Sequence, residues 1–268
     1  MAKVKDFYGY LNSIAPFETQ EDWDNSGMLV GDMNAEVKKA VVVLDITHEE
    51  IKKAKAIGAD LIISHHPVIF NPIKSVTKGS VPYELVASSI NALCCHTPLD
   101  IADGGTNDSL ATGPFVALLL LYTHTRCCRW VYCDNISHVY PHHWAYCCIL
   151  VFVYPHRSLA QELAGKIANT LNTKVRYADA GKTIKKIAIC TGAGCSLIEA
   201  AGEIDAFITG DASHHNFLDC VQAGITLIAA GHYETEIIVV PVLVKKLQAQ
   251  FPDIEIIDIK QENPIKFI

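Results

Sequence analysis

The sequence ADLIISHHPVIF (residues 59–70) combines a short apolar run with two adjacent histidines. Leu61–Ile63 predicts a buried strand. Successive side chains of a strand point to opposite faces, so His65 and His66 can converge only if the chain leaves the strand there. Pro67 favours that exit because it cannot continue a central ladder. The pair fits a metal site at a strand end, or equally one hydrogen-bonded core histidine beside an exposed neighbour.

Composition limits the possible functions. The chain has 268 residues, half of them hydrophobic, and a net charge of -7, which allows one large domain or two modest ones. The mild acidity argues against nucleic acid as a partner. No apolar run approaches the roughly 20 residues of a membrane span, and residues 1–6 lack the apolar core of a signal peptide. We therefore expect a cytoplasmic protein with no membrane partner and with reduced cysteines.

Strands and helices alternate around this stretch in the first half of the chain. Residues 40–45 predict a β-branched strand, and residues 47–57 predict a helix that ends at Gly58. Residues 91–95 predict a further strand, which is followed by HTPLD (residues 96–100).

The second half repeats this plan. Predicted strands at residues 206–209 and 225–229 are followed by GDASHH and GHYETE, respectively. Each half thus has a strand followed by a histidine pair and a later strand followed by His-x-x-x-carboxylate. Such alternation indicates a largely parallel sheet. The predicted fold class is α/β, with two similar lobes whose mostly parallel sheets face a shared metal cleft.

The predicted organisation has three parts: an N-terminal lobe at residues 1–113, a linker at residues 114–157 and a C-terminal lobe at residues 158–268. An arrangement with both lobes in one interlocked domain is also compatible. The linker is rich in Cys, His and aromatic residues, and it lacks Lys and Glu. Its cysteine pairs are adjacent rather than in the Cys-x-x-Cys spacing of structural zinc sites. Our hypothesis is that this segment is mis-specified, as translation out of frame would produce.

Imidazoles and carboxylates follow the predicted strand ends of both halves, at His65, His66, His96, Asp100, His232 and Glu236. Such ligands suit Zn, Fe, Mn, Co or Ni. Each residue taken singly is more often structural, but their equivalent positions in a repeat favour a dinuclear site with two divalent ions. Glu236 could bridge the ions because a carboxylate offers two oxygens.

Other candidate groups are less decisive. His214 and His215 occupy the repeat position of the first histidine pair, and we expect them to line the site or contact substrate rather than ligate. TGAGCS (residues 191–196) fits an anion-binding turn before a helix at residues 196–201, or equally a tight turn. Cysteines in the strand at residues 91–95 are expected to be inert. No catalytic residue is assigned.

Several motifs occur together and in a fixed order: WDNSG (residues 23–27), SHHP (64–67), HTPLD (96–100), GGTND (104–108), GD with HH (210–215) and GHYETE (231–236). Together they resemble the NGG-one-interacting-factor-three-like family, often labelled GTP cyclohydrolase I type 2 homologs. The resemblance implies a two-lobed α/β fold and a dinuclear centre held by His65, His66, Asp100, His232 and Glu236, with Glu236 bridging and His96 close by. It also implies a homohexamer built as a trimer of dimers.

The family label implies hydrolytic opening of the purine ring of GTP. The sequence shows no convincing set of residues for reading guanine or clamping a triphosphate. Three functions therefore stay open at this point. They are a dinuclear-metal hydrolase acting on a nucleotide or phosphoester, a metal-handling or metal-insertion protein without turnover, and an interaction scaffold.

Overall fold

The structure is a computed structural model that describes residues 1–112 and 150–268. The chain divides into two compact units. The first comprises Met1–Asp103 and Val239–Glu262, and the second comprises Gly104–Ile238 and Asn263–Ile268.

A largely parallel sheet organises the first unit. Within the described residues its strands, in spatial order, are β12 (Glu255–Asp258), β4 (Lys39–Val43), β5 (Leu61–Ser64), β6 (Asn91–Cys94) and β2 (Gly27–Val30). All neighbours are parallel except β2, which is antiparallel to β6. The register aligns Ser64 with both Val43 and Cys94. The residues that follow β5 and β6 therefore begin at the same edge of the sheet, where open α/β sheets bind ligands.

Helices and a small antiparallel ladder complete the first unit. The ladder pairs β1 (Ala2–Lys3) with β3 (Glu36–Val37), and the helices are α1 (Val4–Ile14), α2 (His48–Ala56), α3 (Val81–Ala87), α4 (Thr97–Ile101) and α9 (Val239–Gln250). Helix α1 is amphipathic and buries Val4, Phe7 and Leu11 at helical spacing. Phe7 stacks on Phe251 with ring centroids 4.0 Å apart, which anchors the helix to the chain that follows α9.

The second unit contains a comparable sheet. Its described strands, in spatial order, are β7 (Leu150–Ser158), β9 (Ile184–Cys190), β10 (Ala206–Thr209), β11 (Thr226–Ala229) and β8 (Arg176–Ala178). The central strands β9, β10 and β11 are parallel, and the two edge strands are antiparallel to their neighbours. Its described helices are α5 (Thr106–Thr112), α6 (Ala160–Leu171), α7 (His214–Gln222) and α8 (His232–Glu236).

These findings confirm a mixed α/β fold with sheets rich in parallel strands. Among the described helices, none is both long enough and apolar enough to cross a bilayer.

The structure differs from the sequence analysis in its division of the chain. Residues 158–268 were expected to form one lobe, but Val239–Glu262 belongs to the first unit. The physical reason is that β12 pairs in parallel with β4 and aligns Ile256 with Ala40. The apolar C-terminal strand thus extends the first sheet rather than the second.

Two local predictions also need correction. Residues 150–157, assigned to the linker, belong to β7, whose backbone pairs with β9. Residues 114–149 lie outside the described part of the chain, and the mis-specification hypothesis stays a prediction. The helix expected at residues 196–201 is instead a pair of short 3-10 turns, Gly194–Leu197 and Glu199–Ala201.

Candidate metal centre

Three histidines converge where β5 and β6 end in the first unit. One ligand atom from each of His65, His66 and His96 lies within 4.8 Å of the other two. Asp100, on α4, brings its Oδ1 atom to 3.4 Å from Nε2 of His65. The two adjacent histidines do converge as the sequence required, because β5 ends at Ser64 immediately before them. The structure thus brings together the candidate residues of the first half.

Each imidazole of this cluster is held through its Nδ1 atom. The partner is the carbonyl oxygen of Cys95 for His65 (3.0 Å), Oδ1 of Asp45 for His66 (2.8 Å) and Oδ1 of Asp24 for His96 (2.7 Å). Carbonyl and carboxylate oxygens only accept, so the hydrogen bond assigns the proton to Nδ1. The lone pair of each ring is therefore on Nε2, the arrangement found in metal-ligating histidines.

Asp24 is a carboxylate beside the cluster that accepts several hydrogen bonds. Its two oxygens accept hydrogen bonds from the backbone N–H of Asn25, the hydroxyl of Ser26, Nδ1 of His96, and both the N–H and the hydroxyl of Thr97. Burial alone would raise the pKa of Asp24. The hydrogen bonds from His96, Thr97 and Asn25 outweigh burial and lower that pKa to about 2. Asp24 is therefore a fixed anion that orients His96.

The second unit contributes a histidine and a carboxylate from α8. His232 and Glu236 are four residues apart on this helix and so share one face. Nε2 of His232 lies 3.0 Å from Oε2 of Glu236, which is buried. Nδ1 of His232 donates to Oδ2 of Asp211 at 2.8 Å. The ring is therefore held through Nδ1, like the three in the first unit, with Nε2 turned toward the carboxylate.

A glycine allows this pair to sit against the end of β9. Gly192 has a φ of +60°, and a Cβ atom there would lie 2.1 Å from Oε1 of Glu236. Its N–H donates to the hydroxyl of Thr235 at 3.2 Å. Only glycine combines that backbone conformation with so close an approach.

The turn at residues 191–196 is a tight turn rather than an anion-binding loop. The N–H groups of Thr191, Gly192 and Gly194 donate to side-chain oxygens of Asn107, Thr235 and Thr209, respectively. These donors are therefore used within the fold. Moreover, the 3-10 turn that follows is too short to act as a helix N-terminus toward an anion.

The second histidine pair lies at the beginning of α7. His214 and His215 are exposed, with ring centroids 5.8 Å apart, and Ser213 caps the helix by accepting from the N–H of Asn216. Their role in lining a site stays a prediction.

The cysteines of β6 fit the expectation that they are inert. Cys94 and Cys95 are both buried, and burial raises the pKa of each thiol. A nucleophilic role would require the opposite change.

A family model described as Duf34/NIF3 (NGG1p interacting factor 3) matches residues 2–264. The chain belongs to this family. The match confirms the resemblance carried by the sequence motifs.

Relatives in the Duf34/NIF3 family cover almost the whole chain. A "GTP cyclohydrolase 1 type 2 homolog" from Clostridium perfringens is 30% identical over 279 residues, which is 99% of this chain and 100% of that protein. A "GTP cyclohydrolase 1 type 2" from Helicobacter pylori is 29% identical over 88% of each chain. The crystal structure of the Staphylococcus aureus hypothetical protein SA1388 superposes with a TM-score of 0.83 at 25% identity, covering 99% of both chains.

Three carboxylates of this Duf34/NIF3 chain were not assigned a role from the sequence. Asp24, Asp45 and Asp211 each hold the Nδ1 atom of one candidate histidine. A signal existed for two of them, because Asp45 and Asp211 each lie two residues beyond the end of a strand, β4 and β10 respectively. Asp24 lies within the WDNSG motif, whose role the sequence alone did not explain.

Proposed function

We propose that the chain binds two divalent metal ions and uses them to hydrolyse a nucleotide, with an activity of the GTP cyclohydrolase 1 type 2 kind. The observation that carries the proposal is the shared geometry of His65, His66, His96 and His232. Each of the four rings engages an oxygen acceptor through Nδ1. This arrangement fixes Nε2 as the ligating atom before any ion binds.

The proposed ligands come from both units. They are His65, His66, Asp100, His232 and Glu236, with Glu236 as the bridging carboxylate and His96 close to the ions. The donor set fits the group, because neutral imidazoles and carboxylates accept Zn, Fe, Mn, Co or Ni. In this proposal the protein assembles as a homohexamer, a trimer of dimers.

Bound divalent ions would polarise a substrate oxygen and lower the pKa of water. The protein's own side chains have separate tasks. Asp45 and Asp211 hold the His66 and His232 rings in one orientation, which keeps the donor atoms in place without reorganisation. Asp100 and Glu236 supply negative charge that offsets the cations.

The relatives' names support the nucleotide as substrate. The Helicobacter pylori relative is named a GTP cyclohydrolase 1 type 2, and the Clostridium perfringens relative is named a homolog of that enzyme. Both cover most or all of this chain, so the proposed activity would belong to this fold rather than to an additional domain.

The test combines elemental analysis with turnover of GTP. The purified chain is expected to carry about two divalent ions, and His65→Ala and Glu236→Gln should each lower that content and abolish turnover. His48→Ala removes an exposed imidazole outside the cluster and should change neither the metal content nor the turnover. Full metal occupancy in His65→Ala would overturn the ligand assignment. Two bound ions without turnover of GTP or other nucleotides would favour metal handling instead.

A further inference from the structure

Two aromatic side chains are exposed beside the histidine cluster of the first unit. The residue surface of Trp23 is 57% exposed and that of Phe70 is 44% exposed, and their ring centroids lie 5.7 Å apart. They belong to different loops, one before β2 and one after β5. The side-chain amide of Asn25 donates to the carbonyl oxygen of Ile69 at 2.6 Å and so ties the loops together. This hydrogen bond therefore holds the two aromatic side chains next to each other.

The imidazole of His96 joins this pair to the candidate ligands. Its ring lies edge-on to both aromatic rings, with centroids 5.9 Å from Trp23 and 6.3 Å from Phe70. The same imidazole lies 5.3 Å from the ring of His65 and 5.5 Å from that of His66. A molecule resting on the aromatic pair would thus lie one imidazole ring away from the proposed metal ligands.

The exposure of these rings needs a physical explanation. An indole and a phenyl ring lose much of their stabilising value when they stay in water, and neighbouring exposed aromatics often mark binding sites. Aromatic faces bind nucleobases by stacking, whichever base is present. The segment that carries Phe70 also carries exposed Lys74 and Lys78. Their charges suit a ligand that joins a flat ring to phosphates.

We propose that Trp23 and Phe70 form the subsite that stacks the purine ring of the substrate. The inference rests on the proposed function and names the side chains that hold the base of its purine substrate. The aromatic pair holds the base by its flat face, and the adjacent histidine cluster faces the part of the ligand to be hydrolysed.

Calorimetric binding of guanosine, which has no phosphate, tests this subsite separately from the metal chemistry. The titration uses the full-length protein, both metal-loaded and treated with a chelator. Trp23→Leu and Phe70→Leu should each weaken guanosine binding by about 10-fold or more, the loss expected for one stacking contact. Trp23→Phe should stay within about threefold of the wild type because it keeps an aromatic face. Binding of inorganic tripolyphosphate should not change in any of these variants.

Val86→Ala is the matched control, since it removes an exposed apolar side chain on α3. Guanosine binding that is unchanged in both leucine variants, weakened equally in the control, or absent from the wild type overturns the inference. So does a lower oligomeric mass in Trp23→Leu with normal guanosine binding, which would assign the pair to a contact between copies. Phe70→Leu carries the test if Trp23→Leu does not fold. Stacking that persists without metal binding or turnover would refute only the proposed function.

Discussion

Oδ1 of Asp24 lies 2.7 Å from Nδ1 of His96, and Oδ2 of the same carboxylate accepts hydrogen bonds from the N–H and the hydroxyl of Thr97. One side chain from the loop before β2 thus holds the first turn of α4. That turn leads to Asp100, which lies beside His65. The position of a candidate ligand therefore depends on a carboxylate that need not touch an ion.

Replacing Asp24 with asparagine should destabilise the protein by about 3 kcal/mol at neutral pH. The variant loses charge-assisted hydrogen bonds and places an amide N–H₂ opposite groups that donate. Urea unfolding of chelator-treated protein measures the change. Asp22→Asn, an exposed acid two residues earlier, should alter stability by less than about 0.5 kcal/mol. Equal stability of the two variants would contradict the role given to Asp24.

The stability that Asp24 contributes should also depend on pH. The pKa of Asp24 is lowered to about 2 from a usual value near 3.8, so its contribution to stability is present above pH 4 and is lost as pH falls toward 2. A depression of this size corresponds to roughly 2 kcal/mol. Unfolding free energies measured from pH 5 to pH 2 should therefore fall less in Asp24→Asn than in the wild type. Parallel pH curves for the two proteins would refute the assignment.

The fold was predictable where local signals and burial agree. The alternation of apolar strands and amphipathic helices gave β4, β5, β6, β10 and β11 and the parallel-rich class. The place of β12 was not predictable, because an apolar strand fits the edge of either sheet and only tertiary pairing with β4 decides. The 3-10 turns at residues 196–201 were not predictable either, because the i to i+3 bonds that define them, such as that from the N–H of Ala201 to the carbonyl oxygen of Ile198, leave no pattern in residue type.

The site was predictable for residues whose side chains are of a type that commonly ligates metal ions. Imidazoles and carboxylates after strand ends marked His65, His66, His96 and Asp100, which the structure brings together. The carboxylates that hold the imidazoles were missed, since Asp24 is 72 residues from His96 in the chain. A contact of that separation depends on the fold and leaves no local pattern.

Asp45→Asn should weaken metal binding by about 10- to 100-fold without unfolding the protein. Nδ1 of His66 donates to this carboxylate at 2.8 Å, and loss of such a partner lowers the basicity of the ring and loosens its orientation. Competition with a chromophoric chelator measures the affinity. Asp253→Asn removes an equally negative but exposed group and should leave the affinity unchanged. An unaltered affinity in Asp45→Asn would mean that His66 does not ligate.

Cys195 should react slowly with iodoacetamide at neutral pH. Burial and, secondarily, the nearby Cys220 and Asp211 raise the pKa of its thiol to about 11, so little of the reactive thiolate forms. Between pH 8 and pH 10 its alkylation rate should rise about tenfold per pH unit without levelling. In urea-unfolded protein the alkylation rate should stop rising with pH near the ordinary thiol pKa of about 8.5. Peptide mapping assigns the product, and a plateau below pH 9 in the folded protein would contradict the prediction.

Gly192→Ala should displace Glu236 and lower the metal content of the purified protein to about one ion or less. The new methyl group would lie 2.1 Å from Oε1 of the carboxylate, a distance that requires α8 or the turn to move. Elemental analysis after identical purification measures the loss.

Gly58→Ala separates this clash from backbone strain. Its φ of +69° is close to the +60° of Gly192, but no atom lies within 4 Å of the added Cβ. Both variants should therefore pay a similar cost of about 1 kcal/mol for a left-handed alanine, visible in urea unfolding. Only Gly192→Ala should lose metal, because only there does the side chain occupy the space of a ligand. Equal metal content in the two variants would show that Glu236 does not hold an ion from its position against Gly192.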